Sequence, residues 1–333
     1  MACEATVYAR AGLVGNPSDG YFGKTISITI PDFAAKVSLY ESPELQIVPS
    51  VQDRSTYKSM GELVSDVKAN GYYGGVRLMK ATVRKFADYC ARHDIPLEDK
   101  NFSLRYRSTI PRRLGMAGSS ALVTASMKCL MEYYDVEILK PLLPGLILSV
   151  ETEELNISAG LQDRVIQVYT GCVFMDFDKA LLDKQGHGNY IELDTKLLPP
   201  IFMAYRKDLG EGSEVFHNNV KQRWHDGDPE VRQAMKDFAG YAQEAYELLA
   251  AGRGLEIGKC MDKNFRRRQS IFTLDPRNVD MVERAWSVGA HATFSGSGGA
   301  IVGVYHDEAM YAALEKTMEE GGIAIFKPSI DRG

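Results

Sequence analysis

The chain has 333 residues, which is long enough for two compact domains, because single hydrophobic cores usually stop growing at about 250 residues. Hydrophobic residues make up 45% of the sequence and charged residues 25%, as in an ordinary globular protein. The formal net charge of -5 excludes a broad basic surface for nucleic acid.

The cysteines and histidines give no sign of a disulfide framework or a zinc site. The five cysteines are scattered and never form a CxxC pair, which favours a reducing compartment. The six histidines lack the paired spacing of metal ligands. The first residues carry no basic segment followed by a long apolar one, and the most apolar stretch, "PLLPGLILSV", is too short to span a membrane. We therefore expect a cytoplasmic protein that binds neither nucleic acid nor membranes.

The first half of the chain starts with short β-branched runs and continues with helical patterns. The runs "ATVYARAGLVG", "KTISITI", "AKVSLY" and "LQIV" are separated by turn residues and are predicted as antiparallel strands. In "GGVRLMKATVRKFADYCARH", Val76, Met79, Val83 and Phe86 recur at helical spacing, so this helix is predicted to cover the sheet. "NFSLRYRS" alternates as a further strand, and "SSALVTASMKCLMEYY" is predicted as a largely apolar helix.

The second half is predicted as a separate unit that begins after the polar stretch "DKALLDKQGHGN". "IFMAYRK" predicts a strand, and a long amphipathic helix follows with Asp228 as its N-cap and Pro229 in its first turn. "HATFS" and "AIVGVY" predict a hairpin around the tight turn "GSGG". "DEAMYAALEKTMEEGG" and "IAIFK" predict the last helix and strand, and the whole order resembles a split βαβ sandwich.

The segment "IPRRLGMAGSSALVTA", residues 110 to 125, places two glycines and two serines directly before a helix. A loop of small residues that enters a helix lets backbone N–H groups converge on an anion, and phosphate is the expected anion. The segment is neither a Walker A motif nor a Rossmann fingerprint. By itself it is equally compatible with a tight turn at Gly115 and Gly118 in which Ser119 caps the helix.

Three motifs, in order, resemble those of the GHMP kinase superfamily, which includes galactokinases, homoserine kinases and mevalonate kinases. "PRRLGMAGSSA" resembles the second motif of that superfamily, in which Pro and three residues precede Gly-Leu-Gly-Ser-Ser-Ala. "ARAGLVGNPSD" is similar to the sugar-kinase segment Gly-Arg-Val-Asn-Leu-Ile-Gly-Glu-His-Thr-Asp, and "GAHATFSGSGG" to the glycine-rich third motif. The resemblance implies a two-domain α+β fold. Its N-terminal domain, residues 1–190, would be a mixed α/β domain like ribosomal protein S5, and residues 191–333 would form a ferredoxin-like split βαβ domain.

Longer stretches are similar to the plant-type glucuronokinases, and this similarity covers most of the chain. The stretches are "GNPSDGYFGKTIS", "GYYGGVRL", "IPRRLGMAGSSA", "AGLQDRVIQVYTG", "KQRWHDGD" and "NFRRRQ". One difference is that "LSVETEELNISAGLQD" carries one residue more than the corresponding helix of the family. The resemblance implies a kinase that uses ATP and Mg²⁺ to phosphorylate D-glucuronate at the anomeric hydroxyl, with the site between the two domains.

The resemblance also assigns roles in phosphoryl transfer to individual residues. It implies that Asp163 is the catalytic aspartate and that Arg10 lies beside it, where a helix N-terminus would keep the carboxylate ionised. Mg²⁺ would be held by Ser120 and Glu151, with Glu153 and Glu154 as alternatives to Glu151. The residues expected at the ATP phosphates are Pro111, Gly115, Gly118, Ser119, Ser120, Ala121, Gly296 and Gly298.

Substrate contacts are expected from two further groups of residues. Asn16, Asp19 and Gln162 would bind the sugar, although "GNPSDGY" is also dense in residues that form turns. A uronic acid needs a cation for its carboxylate, and Arg164, Arg266 and Arg268 are the candidates. Because neighbouring residues of a helix point in different directions, at most one or two of the arginines in "NFRRRQ" can reach a ligand. A solvated basic run is the alternative.

Other functions remain open at the level of sequence. A kinase of the same superfamily for galacturonate, galactose, arabinose or a heptose is one alternative. A decarboxylase of the mevalonate-diphosphate type is another, but the sugar-kinase pattern of the first motif and the glucuronokinase-like stretches argue against it. A non-catalytic sugar sensor is a third possibility, but a sensor should have lost its base or metal ligands, and here Asp163 and Ser120 are both present. We expect the protein to act on small molecules as a monomer or homodimer.

Overall fold

A computed structural model describes residues 2–50, 53, 58–70, 74–206 and 214–330. Residues 71–73, which begin the family-like stretch "GYYGGVRL", lie outside the described residues. Within the described residues, we find no helix with both the length and the apolar character that a membrane crossing requires. The chain divides by compactness into two units. Unit 1 comprises Met1–Ala9, Phe33–Pro111 and Ala117–Val168, and unit 2 comprises Arg10–Asp32, Arg112–Met116 and Tyr169–Gly333.

The described residues form strands and helices that mix along the chain. The strands are β1 (Ala2–Val14), β2 (Lys24–Glu41), β3 (Gln46–Val48), β4 (Phe102–Ser108), β5 (Cys172–Asp176), β6 (Asn189–Leu193), β7 (Ile201–Tyr205), β8 (His291–Phe294), β9 (Ala300–Val304) and β10 (Ala324–Phe326). The α-helices are α1 (Met60–Asn70), α2 (Gly75–Arg92), α3 (Gly118–Tyr133), α4 (Leu143–Ser149), α5 (Gln162–Tyr169), α6 (Lys179–Gln185), α7 (Glu214–His225), α8 (Pro229–Ala250), α9 (Ile257–Ile271), α10 (Pro276–Ser287) and α11 (Glu308–Glu320). A π-helical turn, Val150–Glu154, follows α4 directly.

In unit 1, helices cover a small mixed sheet. The C-terminal half of β2 pairs antiparallel with β4, and β3 pairs parallel with β4 on its other side. The helices α2 and α3 pack against each other, and α2 also contacts β3 and the π-helical turn. Val37, Leu39 and Leu104 are fully buried in this sheet, and Val123 and Met127 of α3 are fully buried as well. The predicted helix over the sheet is therefore present.

In unit 2, a four-stranded antiparallel sheet has the order β10-β7-β9-β8. Along the chain, the order of elements is one strand, several helices, two strands, one helix and one strand. This order is the split βαβ arrangement. Its core includes Phe265, Met281, Phe294 and Leu314. Asp228 caps α8 by accepting hydrogen bonds from the backbone N–H groups of the first turn, as predicted. The expected α+β class and ferredoxin-like sheet are confirmed.

The sequence predicted two strands where the structure has the single strand β2. The turn signal was Pro31, which lacks a backbone N–H. The ladder with β5 ends at Ile28 and the ladder with β4 begins at Ala35, so Pro31 lies between these two ladders and belongs to neither. The strand can therefore continue through the proline.

The second half was predicted to begin after the polar stretch "DKALLDKQGHGN", and the structure shows that this stretch has secondary structure of its own. The stretch contains α6, whose N-cap Asp178 accepts hydrogen bonds from two backbone N–H groups, and the beginning of β6. Because β5 and β6 pair antiparallel on either side of it, the stretch is the connection within a hairpin of unit 2. A domain boundary at residues 190–191 stays a prediction, since unit 2 as defined by compactness already includes Tyr169–Gly333.

Candidate active site

The N-terminus of α3 in unit 1 lacks a side-chain cap. The N-cap residue is Ala117, which has a left-handed backbone with φ of 61° and no side chain that could accept a hydrogen bond. The first N–H group of this turn to bond back to the chain is that of Ala121, which donates to the Ala117 carbonyl. An uncapped helix N-terminus with a following run of small residues can accept an anion at its N–H groups.

The two serines of this helix N-terminus have different partners. The Ser120 hydroxyl is buried and donates to the Ala117 carbonyl over 3.1 Å. The Ser119 hydroxyl instead donates to Oε1 of Glu151 over 2.7 Å. Gln167, which the sequence analysis did not single out, donates from Nε2 to the Ala117 carbonyl over 2.9 Å. The Ala117 carbonyl is thus held from two sides, and Ser119 is the serine that contacts Glu151.

The π-helical turn directs one glutamate towards α3 and two towards α2. Glu151 is only 1% exposed and contacts Ser119. Glu153 lies 2.6 Å from Nζ of Lys85, and Glu154 lies 3.6 Å from the same Nζ and also pairs with Arg84. Of the three glutamates considered from the sequence, Glu151 is therefore the one beside the phosphate-binding candidate.

A buried arginine connects the two acidic residues that the sequence analysis placed in the reaction. Arg164 is 3% exposed, and its Nη2 forms an ion pair with Oε2 of Glu151. Its Nη1 donates to the Gly160 carbonyl over 2.9 Å and lies 3.6 Å from Oδ2 of Asp163. Breaking a buried ion pair by removing one partner typically costs about 3–5 kcal/mol, so Arg164 fixes the position of Glu151 strongly. We refer to Ser119, Glu151, Asp163 and Arg164 as the unit 1 cluster.

Asp163 lies in the first turn of α5, as predicted. Its side chain is 21% exposed, so ligands can reach it, whereas the adjacent Gln162 is fully buried. The ion pair between Arg164 and Glu151 favours a positioning role for Arg164. Its predicted contact with the substrate carboxylate stays a prediction.

In unit 2, Arg10 is buried near the end of β1 and contacts the second and third motifs. Its Nη1 donates to the carbonyl oxygens of Gly115 and Ser295, the latter over 2.9 Å. Gly115 has a φ of 61°, and a Cβ at this position would lie 2.9 Å from the Gly298 carbonyl oxygen. A Cβ at Gly296 would lie 2.9 Å from Nη1 of Arg10. Both glycines are therefore required by close approach of the two loops.

The loop after β1 is tied to α9 through Asn264. The amide oxygen of Asn264 accepts from the Gly15 N–H over 2.8 Å, and its Nδ2 donates to the Asn16 carbonyl over 3.0 Å. Asp19 lies next to this loop, in the 3₁₀ turn Ser18–Tyr21. Asn264 was not among the residues predicted from the sequence, which in "NFRRRQ" were the arginines. An amide two residues before a basic run was the available signal.

The three arginines of α9 have separate environments. Arg266 is exposed, with its guanidinium 5.0 Å from the ring centre of Trp286. Arg267 pairs with Asp237 over 2.8 Å. Arg268 is buried, and its Nη1 donates to Oδ1 of Asn16 over 2.9 Å. Of the three, only Arg268 contacts a residue predicted to bind the sugar.

The described residues contain no group of three or more histidines, cysteines, aspartates or glutamates placed to hold a metal ion. A metal in the unit 1 cluster would therefore take few ligands from the protein. The oxygens available there are the Glu151 carboxylate and serine hydroxyls. Hard oxygen donors in small number, completed by phosphate oxygens and water, suit Mg²⁺.

Comparisons with known proteins agree with these motifs. Residues 77–171 match the family model described as the GHMP kinases N terminal domain. Glucuronokinase 1 of Arabidopsis thaliana is 44% identical over 307 residues, which cover 90% of this chain and 84% of that protein.

Solved structures share the fold at low sequence identity. Lactococcus lactis galactokinase complexed with galactose has a TM-score of 0.73 at 14% identity, covering 99% of this chain and 93% of that one. Streptococcus pneumoniae phosphomevalonate kinase in complex with phosphomevalonate and AMPPNP has a TM-score of 0.74 at 15% identity, covering 98% and 99%. Together with the identity to the Arabidopsis protein over most of both chains, this places the protein in the glucuronokinase family of the GHMP kinases.

Proposed function

We propose that the protein phosphorylates D-glucuronate at its anomeric hydroxyl, with ATP as the phosphoryl donor, to give glucuronate 1-phosphate and ADP. The family carries out ATP-dependent phosphoryl transfer, and the similarity to an Arabidopsis glucuronokinase favours this sugar. One structural observation carries the proposal: Arg164 holds Glu151 and Asp163 together, and Glu151 contacts Ser119 at the uncapped N-terminus of α3. Phosphoryl transfer requires an anion cradle, a metal ligand and a group that orients the attacking hydroxyl.

In this proposal, each part of the unit 1 cluster has a separate task. The backbone N–H groups at the start of α3 bind phosphate oxygens, because they lack a side-chain cap. Asp163, at the start of α5, orients the sugar hydroxyl and accepts its proton. Arg164 holds the Glu151 carboxylate in place. The small residues that let the phosphates approach this helix are Pro111, Gly118, Ser119, Ser120 and Ala121.

Magnesium is the metal that the oxygen donors of the unit 1 cluster fit. Glu151 would hold it together with a serine hydroxyl, either that of Ser119, which contacts Glu151, or that of Ser120. Bound Mg²⁺ would neutralise negative charge on the phosphates. The protein's part is to supply a buried carboxylate whose orientation Ser119 and Arg164 already determine.

Unit 2 would bind the sugar. Asn16 and Asp19 offer amide and carboxylate oxygens to sugar hydroxyls, and Arg10 would offset charge that develops during the transfer. Gly115 and Gly296, where a Cβ would collide with neighbouring protein atoms, let the second and third motifs approach each other, and their backbone would face the phosphate oxygens. Gly298 would contribute to the same approach.

A substrate panel tests the proposal. Purified protein with ATP and Mg²⁺ is offered D-glucuronate, D-galacturonate, D-glucose, D-galactose, L-arabinose and a heptose, and ADP release is measured for each. We expect kcat/KM for glucuronate to exceed that for glucose by at least about a hundredfold, because a site built for a carboxylate rejects a neutral group. A neutral sugar as the best substrate would show that the uronic-acid assignment is wrong.

The variant Asp163→Asn tests the role of the aspartate in the same assay. The amide keeps the size of the side chain but cannot accept a proton, so kcat should fall by about a hundredfold or more, with the KM for ATP nearly unchanged. Asp183→Asn, at an exposed position of α6, is the matched control and should behave as the parent. Near-normal turnover of Asp163→Asn would exclude Asp163 as the base.

We also propose that the protein acts in the cytoplasm on small molecules alone, as a monomer or homodimer. The support for a reducing compartment is that all five cysteines are free and buried. Light scattering on a size-exclusion column distinguishes the two oligomeric states.

A further inference from the structure

Arg268 is buried without an acidic partner. Only 2% of the residue is exposed, and in the described part of the chain no carboxylate lies within 4.0 Å of its guanidinium nitrogens. Its acceptors are neutral: Nη1 donates to Oδ1 of Asn16 and to the Gly296 carbonyl, both over 2.9 Å. Nη2 lies 3.5 Å from the Ser297 carbonyl oxygen. A buried cation held only by neutral groups is unfavourable unless a ligand supplies the anion.

The surroundings of Arg268 make its positive charge more unfavourable in the absence of an anion. Its guanidinium carbon lies 5.2 Å from the ring centre of Phe272 and 5.3 Å from that of Phe294, and its Nε has no hydrogen-bond partner among the described residues. Burial, followed by repulsion from Arg10, lowers the pKa of Arg268 to about 10, while Asp19 acts in the opposite direction. The side chain therefore stays charged at neutral pH, and Arg10 adds a second positive charge nearby.

Asn16 is the partly exposed partner of this buried arginine. A glutamate there would neutralise Arg268 and repel a carboxylate ligand. The neutral amide of Asn16 accepts a hydrogen bond from Arg268 and leaves its positive charge available to an anionic ligand.

We propose that Arg268, held in place by Asn16, binds the carboxylate of the sugar and determines the preference for a uronic acid. This inference rests on the proposed function and names the residue that selects its substrate. The carboxylate approaches from the side of Asn16, which is the partly exposed member of the pair. Arg266, exposed beside Trp286, has no part in it.

The experiment compares an anionic sugar with a neutral analogue of the same shape. Steady-state kinetics are measured with D-glucuronate and with D-glucuronamide, whose carboxylate is replaced by an amide, and the KM for ATP is recorded for each protein. For Arg268→Gln we expect kcat/KM to fall by about a hundredfold with glucuronate and by less than about threefold with glucuronamide. Arg266→Gln removes the same charge from the same helix. This variant should have the parent's ratio of kcat/KM for glucuronate to kcat/KM for glucuronamide.

Asn16→Asp gives a second test that does not remove a buried side chain. The new carboxylate would pair with Arg268, so the melting temperature should equal or exceed that of the parent. The same pair occupies the guanidinium, and kcat/KM for glucuronate should fall by about tenfold or more relative to that for glucuronamide. This variant decides the question if Arg268→Gln does not fold.

The outcomes separate this inference from the proposed function. If the parent uses a neutral sugar better than glucuronate, the proposed function fails, and the inference fails with it. If the parent prefers glucuronate and Asn16→Asp keeps the full preference, the proposed function stands and Arg268 is not the carboxylate-binding residue. A rise in the KM for ATP with an unchanged sugar ratio would instead place Arg268 at the phosphates and overturn the inference.

Discussion

At the scale of single residues, two neighbouring serines differ in their environment. Both belong to the first turn of α3, but Ser119 donates to Glu151 whereas Ser120 donates to the Ala117 carbonyl. The family resemblance assigned the metal to Ser120. The contact with Glu151 favours Ser119 as the hydroxyl that orients this carboxylate, so the two serines should respond differently to removal of the hydroxyl.

We predict that Ser119→Ala raises the Mg²⁺ concentration needed for half-maximal activity by about tenfold, because a net hydrogen bond to a charged group contributes about 1.5–3 kcal/mol. Ser120→Ala measures how much the Ser120 hydroxyl contributes to Mg²⁺ binding. Ser126→Ala is the control, since this buried hydroxyl lies on the same helix and donates to the Leu122 carbonyl. Magnesium titrations of initial rates give the comparison. If the midpoint of the Mg²⁺ titration were unchanged in both Ser119→Ala and Ser120→Ala, neither serine would be a metal ligand.

At the scale of secondary structure, the π-helical turn Val150–Glu154 lies within "LSVETEELNISAGLQD", the stretch expected to carry one additional residue. A π turn accommodates one residue more than an α turn, and such turns often occur at functional sites. In a regular α-helix, residues three apart share a face. Here Glu151 contacts α3, and Glu154 contacts Arg84 and Lys85 of α2. The π turn thus separates the two carboxylates.

Deletion of Thr152 should convert this turn to a regular helix. It would rotate the residues on one side of the deletion by about 100° relative to the other side, because an α-helix has 3.6 residues per turn. We expect Glu151 to lose its contact with Ser119 and kcat to fall by about a hundredfold, comparable to the loss of a positioned catalytic group. The control Thr152→Ala keeps the chain length and should be nearly as active as the parent. Circular dichroism and melting temperature confirm that the deletion variant folds. Full activity of a folded deletion variant would contradict a positioning role for the turn.

At the scale of the whole molecule, the reactivity of the cysteine thiols shows whether the two units are folded. All five are free and buried. Burial raises the pKa of the Cys129, Cys172 and Cys260 thiols to about 12. Since only the thiolate reacts with disulfide reagents, these thiols should be inert while the protein is folded.

We therefore predict that an aromatic disulfide reagent labels the native protein at pH 8 only as fast as the protein opens globally. In concentrated guanidinium chloride all five cysteines should react. Ala251→Cys, at an exposed position directly after α8, is the control and should add one rapidly reacting thiol. ATP with Mg²⁺ should slow labelling of the buried thiols further, because a ligand that binds only the native state reduces opening. Rapid labelling of the parent protein would contradict the burial of these side chains.

The sequence alone determined the features that depend on local spacing. The order of three short motifs was sufficient for the family, which the comparisons confirm. Asp228 and Pro229 were sufficient to predict where α8 begins. The order of predicted strands and helices was sufficient to predict the sheet of unit 2. Both predictions succeeded because caps and periodicity act within a few residues. The number of strands was predicted wrongly at Pro31, because this proline lies between the ladder of β2 with β5 and the ladder of β2 with β4, where the strand continues.

Only the tertiary structure decided which members of each candidate set come together. One of three glutamates contacts Ser119, which is 32 residues away in the sequence. One of the three arginines in "NFRRRQ" reaches Asn16, across 252 residues. Neighbouring side chains have almost identical local signals, and the partner that distinguishes them is brought near only by the packing of distant elements. The choice of Glu151 and Arg268 therefore depends on long-range contacts, which residue spacing does not encode.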